Sequence, residues 1–172
     1  DTASPMPKTT PRRFLFLQGP HGPFLRQLAR MLRAAGATVW RVGFNAGDAA
    51  FWWRDPGYLP FAAPMADWPA TLATLLEARQ ITDLVIYGDT RPIHAEAVRQ
   101  AKAAGIRIHV FEEGYLRPYW VTYERGGANA SSAAAQLSLD QMSCALDAGP
   151  SALTEAPDRW GDMRAHMFWG AV

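Results

Sequence analysis

A single cysteine, Cys144, excludes an internal disulfide framework and suits a reducing compartment. No run approaches the roughly 20 apolar residues that a membrane span requires. Neither sign of charge dominates: 17 basic and 16 acidic residues leave a formal charge of +1. There is therefore no global footprint for nucleic acid, and only local basic clusters remain for anions. No His/Cys cluster has structural-zinc spacing, and neither a G-x-S-x-G elbow nor a D-x-D motif occurs, which weakens hydrolase and metalloenzyme readings. "GPHG" at 19–22 lacks the spacing of a dinucleotide fingerprint, so Gly19 and Gly22 read as turn residues ahead of phosphate cradles.

What is present describes a globular protein. Of 172 residues, 49% are apolar and 19% charged, enough for one domain with a real core. Residues 1–12 lack an apolar signal core and read as a disordered lead-in. Seven Trp and eight Phe are many for this length. Those in "FWW" (51–53) and "HMFWGAV" (166–172) fit a core, an interface, or a surface resting on lipid or sugar; core is favoured.

"RFLFLQ" (13–18) is a continuous apolar run, as in a strand buried on both faces. From Phe24, residues Leu25, Leu28, Met31, Leu32 and Ala35 recur at helical spacing, with Arg26, Arg30 and Arg33 opposite and Gly36 as a stop. "TVWRVGF" (38–44) alternates like a second strand. Residues 48–67 carry aromatics and prolines without a period and read as a long irregular excursion. A helix over 68–79 follows, with Leu72, Leu75 and Leu76 inward and Asp67 as N-cap. "DLVIYG" (83–88) is a third strand, the segment from Pro92 to Gly105 a helix, and "IRIHVF" (106–111) a fourth strand. Strands alternating with helices imply an α/β fold, a Rossmann-like parallel sheet flanked by helices, in the order 2-1-3-4. "YWVTYE" (119–124) fits one more strand. Residues 133–172 read as a helical segment.

In such sheets ligands bind beyond the carboxyl ends of the strands. Those four ends hold Gln18, His21, Asn45, Asp48, Asp89, Arg91, His94, Glu112, Glu113 and Arg117, whereas the strand starts carry little but caps. Arg91 and His94, three apart across a first helical turn, are placed to face one cleft. Asp89 also reads as a helix cap, Arg117 as an ion-pair partner of Glu113, and His109 as a packed core imidazole. Glu112 and Glu113 are adjacent on a strand and point oppositely, so their environments differ. One is then available as a general base toward a sugar hydroxyl and the other to hold an Arg or N–H group. Which is which stays open.

Four segments carry a resemblance: "FLFLQGPHGPF" (14–24), "RVGFNAGD" (41–48), "YGDTRPIHAEAV" (87–98) and "FEEGYLRPYWVTYERGGANASS" (111–132). With them the chain resembles the capsule polysaccharide biosynthesis and export proteins of Gram-negative bacteria, which include β-Kdo glycosyltransferases that start a lipid linker. The resemblance implies retaining transfer of Kdo from CMP-Kdo to a lysophospholipid or glycolipid acceptor on a GT-B-like scaffold. Residues 13–132 would be its N-terminal, acceptor-side domain, and 133–172 would lead towards a second domain that holds most of the donor. Carried over, the acidic motif falls on Glu112-Glu113-Gly114. Asn129 falls in a Gly-Val-Asn-Gly-type segment that here reads Ala-Asn-Ala, and Thr90 stands where relatives often have Cys. Gln18, His21, Asn45, Asp89, Arg91, His94, Arg117 and Asn129 would bind substrate.

The resemblance implies no cofactor or metal, with CMP-Kdo as a donor substrate. It also implies a cytoplasmic protein with peripheral contact at the inner face of the inner membrane and other capsule-assembly proteins as partners. Trp52, Trp53 and Tyr58 are candidates to rest on that surface. The alternative is a non-catalytic glycolipid-binding or assembly module.

Overall fold

A computed structural model describes residues 11–52, 54–114, 120–127, 132 and 134–147. Strands β1 (Arg13–Phe16), β2 (Thr38–Gly43), β3 (Tyr58–Pro60), β4 (Asp83–Tyr87), β5 (Arg107–Glu113) and β6 (Val121–Arg125) form one sheet. Its order is β3-β2-β1-β4-β5-β6. Helices α1 (Phe24–Ala34), α2 (Ala46–Phe51), α3 (Trp68–Ala78) and α4 (Pro92–Ala103) connect the strands, and α5 (Leu139–Asp147) follows β6. The four strands expected from the sequence stand in the expected order. Gly36 and Gly105 follow α1 and α4 as the expected stops.

Strand alternation divides the core in two. Leu15, Leu17, Leu84, Ile86, Ile108 and Val110 point to one face, where Trp68, Leu72 and Leu76 of α3 and Ala97 and Ala101 of α4 cover them. Phe14, Phe16, Val39 and Val85 point to the other, under Leu25 and Ala29 of α1 and Trp52. Both faces are covered, which is why these strands read as unbroken apolar runs.

Several expectations are corrected. Residues 48–67 are not one irregular excursion: α2 begins the segment and β3 adds an edge strand parallel to β2. Six helical and three strand residues, set among prolines, are too short to show a period. The sheet is parallel only through β5; β6 runs antiparallel, because the link over 114–120 is too short for a crossover connection. Glu112 and Glu113 lie within β5 rather than beyond it. Met31 is 70% exposed, since it falls off the stripe set by Leu25, Ala29 and Leu32, and Ala35 is exposed too. Arg33 does not face away: at the stripe's flank it donates to the Asp55 carboxylate at 2.7 and 2.9 Å and to the Val39 carbonyl. Asp67 precedes α3 without a side-chain cap bond.

Candidate functional site

Chain connections run outward from the sheet centre in opposite directions: β1 to β2 on one side, β4 to β5 on the other. The loops after β1 and β4 therefore part at the sheet's carboxyl edge and leave a crevice, the place where doubly wound sheets take ligands. Gln18 leaves β1 on one side and Arg91 opens α4 on the other. The Arg91 Nη1 donates to Gln18 Oε1 at 3.0 Å, so the two side chains bridge the crevice.

Gln18 is itself held from below. Its Nε2 donates to Asp48 Oδ2 at 3.3 Å, and the same oxygen accepts the Phe44 N–H at 2.9 Å. The other oxygen accepts from Arg41 Nη2 at 2.6 Å, in an ion pair with both partners buried. Burial pulls the Arg41 pKa down while Asp48 opposes it, and an arginine keeps its proton under such opposing pulls. The sequence reading named Asp48 among the polar residues but passed over Arg41. The available signal was its place: an arginine inside a strand covered on both faces needs a buried anion.

The loop after β4 is fixed at both ends. Gly88, at φ +72°, adopts a left-handed turn that favours glycine. Its N–H donates to the Phe111 carbonyl at 2.8 Å, and its own carbonyl accepts from His94 Nδ1 at 2.7 Å. The Phe111 bond seats the loop beside Glu112. Because Nδ1 faces a carbonyl it donates there, and the buried ring also lies against the Gln18 backbone. Burial lowers the His94 pKa to about 4, so the ring is neutral at pH 7. Arg91 is exposed and His94 wholly buried, so the first turn of α4 brings only the arginine to the crevice surface.

Other expected residues are placed as follows. Asn45 caps α2, its Oδ1 accepting the Asp48 N–H at 2.9 Å. His21 is exposed and Asp89 half-buried in the two crevice loops. Glu112 is half-buried and Glu113 exposed; alternation sends the first to the face of α3 and α4 and the second to that of α1. Gly114, which follows them, is buried where an added Cβ would overlap the Trp120 carbonyl, so this position admits no side chain. Arg117, Asn129 and Trp53 lie outside the described residues. Trp52 is 1% exposed, packed against Phe16 and under the Arg41 guanidinium, and Tyr58 is half-buried over Gly43. Trp52 is thus core and not a membrane contact.

The strand starts are not bare, contrary to expectation. Fully buried Asp83 opens β4 and binds Arg12, Arg107, Thr82 and His109. Burial alone would raise its pKa, but these four partners together hold it well below the carboxylate range. His109 is buried as expected, yet it also bonds Asp83 and Tyr123. A cavity of about 560 Å³, lined by Leu76, Ile81, Ala103 and Ile106 among others, opens at this same edge, away from the crevice. Among the described residues, no helix is long and apolar enough to cross a membrane, and no three acidic, His or Cys side chains are grouped to hold a metal.

Residues 82–146, from the start of β4 into α5, match the family model described as capsule polysaccharide biosynthesis protein. Over 121 residues, or 70% of this chain, the sequence is 43% identical to the capsule polysaccharide export protein KpsS of Escherichia coli. Over 119 residues it is 40% identical to the capsule polysaccharide modification proteins LipB of Neisseria meningitidis serogroups A and B. The matched stretch is 31% of KpsS and 28% of either LipB, so the chain spans less than a third of the length of these curated relatives. An α/β sheet with these motifs at its carboxyl edge, the matched family model and these identities place the chain in the capsule polysaccharide biosynthesis family.

Proposed function

We propose that this chain is the acceptor-side part of a transferase that moves Kdo from CMP-Kdo onto a lysophospholipid in capsule assembly. The observation that carries the reading is the Arg91–Gln18 bridge across the crevice. An exposed guanidinium held by a neutral amide keeps its charge for a ligand, and the phosphate or carboxylate groups of such substrates are its natural partners. The acidic pair stands on the adjacent strand, next to the Phe111–Gly88 bond that seats the Arg91 loop. One of Glu112 and Glu113 takes the proton of the acceptor hydroxyl, and the other orients neighbouring donors. Arg117 and Asn129 extend the site. CMP-Kdo is a substrate, and no cofactor enters the reaction. The protein works at the cytoplasmic face of the inner membrane by peripheral contact, alongside other capsule-assembly proteins.

The test is transfer of Kdo, supplied as CMP-Kdo generated in situ, to synthetic lysophosphatidylglycerol by the full-length protein. Glu112→Gln and Glu113→Gln are assayed singly and together. At least a hundredfold loss of rate is expected from one of them and from the pair, in line with removal of a general base. A full transfer rate in the double variant removes the acidic pair from the reaction. Acceptor binding without any transfer by the full-length wild type would instead favour a glycolipid-binding module.

A further inference from the structure

A second cleft lies on the α1 face of the sheet and runs from Arg12 and Phe14 at the strand starts to Phe111 near the carboxyl end of β5. Its volume is about 210 Å³. Phe14, Leu28, Leu32, Val85 and Phe111 form apolar walls, and Arg12, His109 and Tyr123 form a polar end. For scale, a cavity of about 150 Å³ accommodates benzene, so a ring or a short alkyl chain fits here.

The polar end is built rather than incidental. Asp83 accepts from His109 Nε2 at 2.8 Å, so Nε2 carries the proton and Nδ1 accepts the Tyr123 hydroxyl at 2.7 Å. The phenol ring stacks on the imidazole, with centroids 5.9 Å apart and planes 14° from parallel. Tyr123 is thereby fixed although 45% exposed. The Arg12 guanidinium lies 4.7 Å over the Phe14 ring with its side chain 45% exposed. Arg125 pairs directly with His109 in the β5–β6 register, which puts it on the same face. Around His109 there are thus three arginines, Arg12, Arg107 and Arg125, against one carboxylate, Asp83. A staple for β4, β5 and β6 needs the Asp83 bonds, but it needs neither an adjoining void nor surplus positive charge. An unfilled apolar cavity costs stability.

We infer that this cleft binds a small amphiphilic anion, its alkyl or aromatic body between α1 and the sheet and its carboxylate or phosphate over Arg12 and Arg125. The site is separate from the Arg91–Gln18 crevice and stands independently of the transfer reading.

Octyl phosphate, kept below its micelle concentration, is titrated into the whole chain by calorimetry, beside inorganic phosphate and octan-1-ol. Binding at least tenfold tighter than either comparator is expected. Leu32→Trp, which fills the cleft, weakens octyl phosphate at least tenfold; Arg125→Gln weakens it about fivefold; Arg99→Gln, on the far face, leaves it unchanged. Should Leu32→Trp lose its helical circular dichroism, Leu28→Phe takes its place. Three results overturn the assignment: no binding of octyl phosphate, inorganic phosphate binding as tightly, or a folded filled-cleft variant with undiminished affinity.

Discussion

The two edges of the sheet use the same chemistry for different ends. At the strand-start edge, Asp83 receives six hydrogen bonds from four side chains, and nothing about that carboxylate is left to offer. At the carboxyl edge, Asp48 holds Arg41 and the Phe44 N–H, then passes one bond to a neutral amide, Gln18, which holds Arg91. The first network saturates its carboxylate, with Arg12 and Arg107 left 45% and 56% exposed at its rim. The second ends in an exposed cation whose charge its partner does not neutralise. At the first edge the carboxylate is spent as a staple and only the arginines around it face outward, whereas at the second the relay of bonds itself delivers one exposed cation to the crevice.

The largest difference is expected where a partner cannot reach water. Asp48→Ala leaves Arg41, 2% exposed, as a buried charge without its anion. Breaking a buried pair from one side costs about 3–5 kcal/mol. Urea unfolding should show that loss, and a drop under 1 kcal/mol would mean that Arg41 finds another partner.

Acid comes next. The folded His94 pKa of about 4 lies below its ordinary 6.5, so between those values the unfolded chain binds the extra proton. Stability is therefore fully present above pH 6.5 and falls as the pH drops towards 4, by ~3 kcal/mol over the whole window. His109, also lowered chiefly by burial, adds in the same direction. Urea midpoints at pH 7 and pH 4.5 measure the fall, and His94→Gln should reduce it by more than half. An unchanged difference in that variant would place the pH sensitivity elsewhere.

Asp83→Asn is expected to cost less, about 2 kcal/mol, on the scale of one hydrogen bond to a charged group. Arg12 and Arg107, with side chains 45% and 56% exposed, can turn to water as Arg41 cannot. If Asp83→Asn proved costlier than Asp48→Ala, the contrast between the edges would have the wrong sign for stability.

How much of this was legible in the sequence follows from periods and partners. Apolar runs such as "FLFL" and "DLVIY" announce doubly buried strands, and ten-residue helical stripes between them force crossovers, so the central order was readable. Tyr58–Pro60 was not, because a three-residue edge strand takes its identity from pairing with Arg41–Gly43 rather than from its own pattern. At the site, the residue types at the strand ends pointed to the carboxyl edge, but depth was invisible. Arg91 and His94 share a helical turn, yet Gly88 draws the imidazole under the loop while the arginine stays out. The Asp83 network was missed because its partners are up to 71 residues apart in the chain.

Arg91 separates function from stability most cleanly, since its removal should hardly be felt by the fold. The side chain is exposed and its one described partner is a neutral amide, so Arg91→Gln should change unfolding free energy by less than ~0.5 kcal/mol. Its loss from a ligand anion is another matter, because a hydrogen bond to a charged group is worth about 1.5–3 kcal/mol. Acceptor or donor binding by the full-length protein should weaken by about tenfold to a hundredfold while the urea midpoint holds. Gln18→Ala is the sharper companion: it keeps the charge and removes only the amide that aims it, so it should weaken binding by less than Arg91→Gln. If both variants bind as the wild type does, the exposed end of the relay receives nothing, and the two edges differ in burial alone.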